Sequence, residues 1–191
     1  MKKTLQEEIE NIKKKMNIKP KAENRKHEYG CVMLYFDFPE IKEIHNIIEK
    51  NDIYIDPEDD SYGLESEPHT TLLFGLHEGV STEDVDNVLG NHTYESCKIH
   101  NASIFKNQQY DVLKFDVEGE GLKDTNKELR QFPYTSDYPD FHPHMTIAYL
   151  MPGTGEKYTK LLGDEEFWLM PQHAIYSKTD GTKDKLSIRV D

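Results

Sequence analysis

Two histidines with the same surroundings are the strongest constraint on how this chain folds. His69 and His144 each follow a proline, each is followed two residues later by a threonine, and each opens an apolar, β-branched run. Such runs form buried strands. Because alternate residues of a strand point to one face, His69 shares a face with Thr71, and His144 shares one with Thr146. An imidazole beside a hydroxyl predicts a functional site rather than a piece of core.

The order of elements after each motif repeats as well. The first motif strand is followed by a helix, a strand, a turn and a strand at residues 82–89, 98–105, 107–109 and 110–117. The second is followed by the same four elements at residues 156–162, 167–176, 179–181 and 185–190. A repeat with such a long period predicts two similar lobes, each carrying one motif.

The remaining segments complete the domain. Residues 31–36 predict a first strand, residues 41–48 a helix with one isoleucine-rich face, and residues 122–132 a connecting helix. Residues 1–26 are rich in Lys and Glu and carry apolar side chains at helical spacing, which predicts a helical, basic extension. The main domain is therefore expected to cover residues 27–191.

The charge of the chain limits its partners. With 191 residues and a formal net charge of -13, it lacks the basic balance typical of proteins that bind long nucleic acids, although a few local donors can hold a small nucleotide. No apolar run is long enough to span a membrane and the N-terminus does not resemble a signal peptide, so a cytoplasmic protein is expected. Cys31 and Cys97 are expected to be buried, reduced thiols, with a disulfide between them as the alternative.

Two lobes packed face to face would bring both motifs into one cleft. A neutral imidazole can take a proton from an attacking hydroxyl, while a protonated imidazole gives a proton to the leaving oxygen of a phosphodiester. An ordinary histidine pKa of about 6.5 makes both forms available near neutral pH. The threonine hydroxyls can donate to the non-bridging phosphate oxygens as charge builds there. This chemistry requires no metal ion or other cofactor.

Metal binding is the alternative chemistry. His142, His144 and His69 can act as ligands, since histidines two residues apart recur in metal sites. This alternative leaves both threonines without a role, and Pro143 disturbs the strand at that point. The acidic residues at 56–67 lack the ligand spacing of a calcium loop and predict a solvated loop.

The motifs His69-Thr70-Thr71-Leu72 and His144-Met145-Thr146-Ile147 resemble those of the 2H phosphoesterase superfamily, and the resemblance extends roughly from Tyr29 to the C-terminus. It implies an α+β, bilobal fold with two antiparallel sheets forming a central cleft, related by a pseudo-two-fold internal duplication. It also implies metal-independent cleavage of a phosphodiester, in which the two histidines are acid and base and the two threonines assist.

Within the superfamily, the chain looks most like phage anti-CBASS nucleases, which destroy the cyclic-oligonucleotide signals of bacterial immunity. That likeness implies a small cyclic nucleotide as substrate, action in the host cytoplasm, and stacking of the bases on Tyr35 and Phe105. A ribose 2′-hydroxyl would attack the adjacent 3′–5′ phosphodiester and leave a 2′,3′-cyclic phosphate. Basic residues near the C-terminal hairpin can add local positive potential, namely Lys178, Lys183, Lys185 and Arg189.

Two other functions stay open on the sequence. The superfamily also contains 2′,3′-cyclic phosphodiesterases and RNA 2′-5′ ligase-like enzymes that act on RNA ends, so the motifs leave the substrate undecided. The same cleft can instead bind and sequester a nucleotide without cutting it.

Overall fold

The structure is a computed structural model that describes residues 27–137 and 140–191, and the extension predicted at residues 1–26 lies outside them. The strands are β1 (Gly30–Phe36), β2 (His69–Leu76), β3 (Thr93–Tyr94), β4 (Cys97–Lys106), β5 (Asp111–Glu118), β6 (His144–Leu150), β7 (Phe167–Leu169), β8 (Pro171–Ser177), β9 (Lys183–Leu186) and β10 (Arg189–Val190). The helices are α1 (Ile41–Ile47), α2 (Thr82–Asn91), α3 (Leu122–Leu129) and α4 (Glu156–Leu162), with a 3₁₀ turn at Lys50–Asp52. None of these described helices has the length and apolar character needed to cross a membrane.

The four helices predicted within the described residues are present, and their ends have local causes. The Ser81 hydroxyl accepts the Asp84 N–H at the start of α2, while the Asp84 carboxylate accepts the Ser81 N–H, which is a reciprocal cap. α3 ends at Leu129, earlier than predicted, because the amides of Gln131 and Phe132 bond to carbonyls three residues back instead of four.

A single eight-stranded sheet carries both motif strands, in the order β7-β4-β5-β6-β2-β1-β8-β9. Neighbouring strands in it are antiparallel, and β2 meets β6 through one registered pair, Thr70 with Met145. The two separate sheets implied by the resemblance are therefore one continuous sheet, whose halves join where the motif strands begin. β3 and β10 form a small parallel pair apart from it. The pseudo-two-fold duplication stays a prediction.

The halves of the sheet are not built from consecutive elements. The β4–β5 hairpin follows the His69 strand in the chain, but β5 pairs with β6, the His144 strand. The β8–β9 hairpin follows the His144 strand, but β8 pairs with β1, which neighbours the His69 strand. Each hairpin thus crosses to the half that carries the other motif, which ties the two halves together.

The prediction of one strand at residues 167–176 is wrong, because this segment forms two strands in opposite halves. β7 pairs with β4, β8 pairs with β1, and Met170 alone separates them. Pro171 opens β8, at a position where its missing N–H is tolerated. Met170 alone links β7 in one half of the sheet to β8 in the other half. The sheet must therefore be curled strongly enough to bring these two edge regions close together. The predicted strand at 185–190 likewise divides, into β9 and β10.

Connecting segments fill the gap that opens where β2 and β6 diverge. The segment before β2, which contains the acidic loop predicted at residues 56–67, lies along β6 with a bridge from Leu64 to Ala148. The segment before β6 lies along β2, where Tyr134 bridges Leu76. Each motif strand is therefore supported by the segment that leads into the other motif.

The pleat of β2 and β6 separates core from site. Thr70 and Met145 are fully buried, whereas the motif histidines and threonines on the opposite face are half-buried. The core joins the apolar faces of the strands to those of all four helices. Both cysteines carry free thiols, with Cys97 buried and Cys31 half-buried, so the predicted reduced state holds and the alternative disulfide is absent.

Gly75 is required where the segment before β6 crosses β2. Its φ is +108°, and a Cβ there would lie 1.8 Å from the backbone oxygen of Thr135. We expect Gly75→Ala to lower the free energy of unfolding by more than about 3 kcal/mol, because the crossing backbone must move. Urea denaturation measures this. Gly79→Ala is the matched control: φ is +102° but nothing lies within 4 Å, so only the conformational cost of about 1–2 kcal/mol is expected. Equal losses for the two variants would contradict the steric argument.

Candidate active site

The register of β2 and β6 brings the two motifs together. Thr70 pairs with Met145 in antiparallel orientation, so one step along each strand places His69 opposite Thr146 and Thr71 opposite His144. Because both paired residues face the core, all four motif side chains project from the other face. The structure therefore assembles the predicted set of two imidazoles and two hydroxyls in one place.

Both imidazoles are held in the same way. The Nδ1 atom of His69 lies 2.8 Å from the carbonyl oxygen of Glu67, and Nδ1 of His144 lies 2.9 Å from that of His142. A carbonyl oxygen can only accept, so Nδ1–H is the donor in each ring. In the neutral form, the lone pair then resides on Nε2, which is the atom left to exchange protons. His142, the third histidine of the metal alternative, serves through its backbone.

Tyr35 and Phe105 flank the two histidines. The Tyr35 ring stacks on His69 with centroids 5.1 Å apart, and the Phe105 ring meets His144 edge-on at 4.9 Å. Phe105 is 44% exposed, so much of its surface is free to meet a ligand. Burial, followed by the charges of Glu67 and Glu65, raises the pKa of Tyr35 to about 12, so its hydroxyl stays protonated. Each predicted aromatic residue thus lies beside one imidazole.

His173 stacks on the opposite side of Tyr35 from His69, and the sequence did not predict it as a site residue. It lies opposite Tyr35 in the β1–β8 pairing, with ring centroids 5.3 Å apart and planes 9° from parallel. Tyr35, His173 and Glu67 line an open groove of about 400 Å³ beside His69. No local pattern in the sequence could identify His173, because its position depends on β8 crossing to pair with β1.

A charged pair on β5 borders His144 and was also missed. Lys114 lies opposite Thr146, and Asp116 lies opposite His144. The Lys114 ammonium donates to the Asp116 carboxylate and lies 4.9 Å from the centroid of the Phe105 ring. The alternation within β5 does place Lys114 and Asp116 on one face, but only the strand register shows that this face is the site.

Asn101 holds the Asp116 carboxylate of the Lys114–Asp116 pair in place. Its side-chain amide donates to Asp116, and its φ of +55° places it in the left-handed region, at an irregularity in the β4–β5 pairing. Burial disfavours the ionised form of Asp116, but hydrogen bonds from Lys114 and Asn101 outweigh it and lower its pKa. The carboxylate is therefore anionic and already occupied by two donors.

Of the four basic residues proposed near the C-terminal hairpin, two face the site. Lys185 lies opposite Ile175 and Lys183 opposite Ser177, alternate positions of β8 that share a face with His173. Lys178 is instead bonded to Asp184 at 2.9 Å, and Arg189 belongs to the small β3–β10 pair.

The described part of the structure does not contain the set of ligands that metal binding would need. Within residues 27–137 and 140–191, no three His, Cys, Asp or Glu side chains are grouped so that they can hold one ion. His142 is exposed, and its carbonyl rather than its ring engages His144.

The surroundings of His144 predict that its pKa lies below the ordinary value. Burial lowers its pKa, and the charges of Lys114 and His69 act in the same direction, opposed by the His142 carbonyl and Asp116. We expect its ring signals in an NMR titration to show a midpoint below the ordinary 6.5. Phe105→Ala admits water to the ring and should raise that midpoint, whereas Trp168→Ala, at an exposed aromatic position on β7, should leave it unchanged. A midpoint at or above 6.5 in the unmodified protein would contradict this.

Comparison with known proteins identifies the family of this chain. No curated protein matches the chain. Among solved structures, a phosphoesterase is 16% identical with a TM-score of 0.46, covering 83% of this chain and 95% of its own. E. coli LigT complexed with NADP+ is 16% identical with a TM-score of 0.42, covering 85% and 96%. The family model of the anti-CBASS protein Acb1 matches residues 64–161, just over half of the chain and including both motifs. The chain therefore belongs to the Acb1 family of anti-CBASS proteins.

Proposed function

We propose that this protein is a metal-independent phosphodiesterase that cleaves 3′–5′ bonds of a small cyclic oligonucleotide and thereby counters CBASS immunity. The observation that carries the proposal is the cluster of His69, Thr71, His144 and Thr146 on one exposed face, with both imidazoles anchored through Nδ1. Membership of the Acb1 family supports the biological role.

The cluster contains the parts that phosphodiester cleavage requires. One neutral Nε2 accepts the proton of a ribose 2′-hydroxyl, and the other, protonated, donates to the leaving 5′-oxygen. The threonine hydroxyls donate to the non-bridging oxygens as they gain charge. General acid–base catalysis contributes about 10²–10⁴-fold, and each well-placed donor to the developing charge contributes about 10²–10³-fold.

The surroundings of the cluster suit a compact ligand with two bases. Tyr35 and Phe105 lie on opposite sides of the histidine pair, so one base can pack against each ring while the phosphodiester lies between them. At Tyr35 the base meets the ring edge, because His69 and His173 cover the two faces of the ring. Lys183 and Lys185 lie beyond Tyr35 on the same face and can attract the phosphates. A cyclic dinucleotide satisfies all of these contacts within one site.

Catalysis explains the histidine geometry better than sequestration does. A nucleotide-binding module needs donors and stacking surfaces, but it has no use for two imidazoles fixed in the same tautomer by equivalent carbonyls. Two Nε2 atoms presented in this way are suited to a proton relay across a phosphate.

Incubation with cyclic dinucleotides in EDTA tests the proposal. We expect turnover to a linear product, and a loss of about 10³-fold or more for His69→Ala and for His144→Ala, because each removes a proton-transfer group. Thr71→Val and Thr146→Val keep the side-chain shape and should lose about 10²-fold through the missing hydroxyl. Product is measured by chromatography and mass spectrometry.

Three other results would each support a different function. Inertness toward cyclic dinucleotides with turnover of a 2′,3′-cyclic mononucleotide would support an enzyme of RNA ends. Tight binding without cleavage, unaffected by His69→Ala, would support a sequestering module. Activity that EDTA abolishes and a metal ion restores would support the metal alternative.

The flanking aromatic residues should act on binding more than on chemistry. We expect Tyr35→Ala and Phe105→Ala each to raise KM about tenfold or more, because base stacking on an aromatic ring contributes about 1–3 kcal/mol per base. Trp168→Ala removes a more exposed aromatic side chain on β7, the edge strand of the sheet, and should leave KM unchanged. A larger effect of Trp168 than of Tyr35 would place the bases elsewhere.

A further inference from the structure

The two histidines share one anchoring scheme but have unlike neighbours. The groups that face His144 are Lys114 and Asp116 from β5, Phe105 from β4 and His69 from β2. The groups that face His69 are Glu65 and Glu67 from the preceding segment, with Tyr35 from β1. The two rings therefore lie in electrostatically different surroundings.

The surroundings of His144 favour the neutral ring. Phe105 packs against the imidazole and displaces water from it, and the Lys114 ammonium adds positive charge on the same face. Asp116 is the one carboxylate opposite His144, but Lys114 and Asn101 already bind it, so much of its charge is compensated. Burial and the nearby cations accordingly lower the pKa of His144.

The surroundings of His69 place a carboxylate and a backbone carbonyl beside the ring. The Oε2 atom of Glu65 lies 4.0 Å from Nδ1 of His69, close enough to stabilise a positive imidazolium. The Nδ1–H bond to the carbonyl of Glu67 strengthens when the ring is charged. Tyr35 covers one ring face without adding charge, since its hydroxyl remains protonated.

We propose that these neighbours make the two motifs inequivalent: His144 is the general base that activates the nucleophile, and His69 is the general acid that protonates the leaving oxygen. This assignment rests on the proposed function and specifies its first step. Glu65 and Lys114 act as positioning residues, because they work through the histidines rather than on the substrate.

The ribose 2′-oxygen forms a bond to phosphorus while its proton passes to Nε2 of His144. The bond from phosphorus to the 5′-oxygen breaks, and that oxygen takes the proton from Nε2 of His69. A 2′,3′-cyclic phosphate and a free 5′-hydroxyl result, with His144 protonated and His69 neutral. Proton exchange with water restores the starting state.

A substrate with sulfur in place of the leaving 5′-oxygen tests the assignment. A thiolate leaves without protonation, so this substrate has no need of a general acid. We expect His69→Ala to lose about 10³-fold on the oxygen substrate and to recover at least about tenfold of that loss on the sulfur substrate. His144→Ala should lose activity to the same extent on both substrates. Rates are measured at saturating enzyme in single-turnover assays.

The outcomes separate this inference from the proposed function. The assignment is overturned if the sulfur substrate restores the activity of His144→Ala instead of His69→Ala. It is also overturned if the sulfur substrate restores both variants equally or restores neither. In each of these cases cleavage by the unmodified protein still supports the proposed function. Failure of the unmodified protein to cleave either substrate overturns the proposed function itself.

The pH profile of kcat/KM tests the role of the neighbours. Lys114→Met should raise the pKa of His144 and move the acid limb to higher pH. Glu65→Gln removes the carboxylate that lies 4.0 Å from His69 and should move the alkaline limb to lower pH. Each movement is expected to be about 0.5–1 pH unit. Lys106→Met, which breaks an exposed pair with Glu156, is the control and should move neither limb. Movement of the opposite limb by either site variant overturns the assignment of roles to these neighbours.

Discussion

The site depends on one short contact, the antiparallel pairing of Thr70 with Met145. Both residues are fully buried, and the burial of Met145, with Leu72 and Ile147 on the same face, selects the register of both strands. A slip of one residue in either strand would turn an imidazole and a hydroxyl into the core and expose apolar side chains. Because burying a charged or unpaired polar group costs several kcal/mol, about as much as a domain has to spare, the core enforces the geometry of the site.

The anchors of the histidines are themselves held by strands of the sheet. Glu67 supplies the carbonyl for His69, and two residues earlier the Glu65 N–H donates to the carbonyl of Ile147 on β6. His142 supplies the carbonyl for His144, and the next carbonyl, that of Pro143, accepts from the N–H of Val117 on β5. The segments that precede β2 and β6 are thus bonded to neighbouring strands, and their carbonyls fix both the tautomer and the direction of each imidazole. No buried carboxylate is needed for this.

The parts of the structure that follow from local pattern could be predicted, and the parts set by distant pairing could not. The period of two in the motif strands placed His69 with Thr71 and His144 with Thr146, and the repeated element order located most strands and helices. The positions of Lys114 and Asp116 beside His144, and of His173 beside Tyr35, depend on which strands adjoin. The division of residues 167–176 between opposite halves depends on the curl of the sheet, which no local propensity expresses.

The distribution of charge reconciles an acidic protein with an anionic ligand. Charges separated by more than the Debye length, about 8 Å at physiological ionic strength, are largely screened from each other when exposed. The charges that matter to a ligand in the cluster are therefore those directly beside it, namely the Lys114–Asp116 pair and the carboxylate of Glu65, rather than the net charge of -13. The net charge of the chain therefore does not by itself decide whether the cluster can hold an anionic ligand.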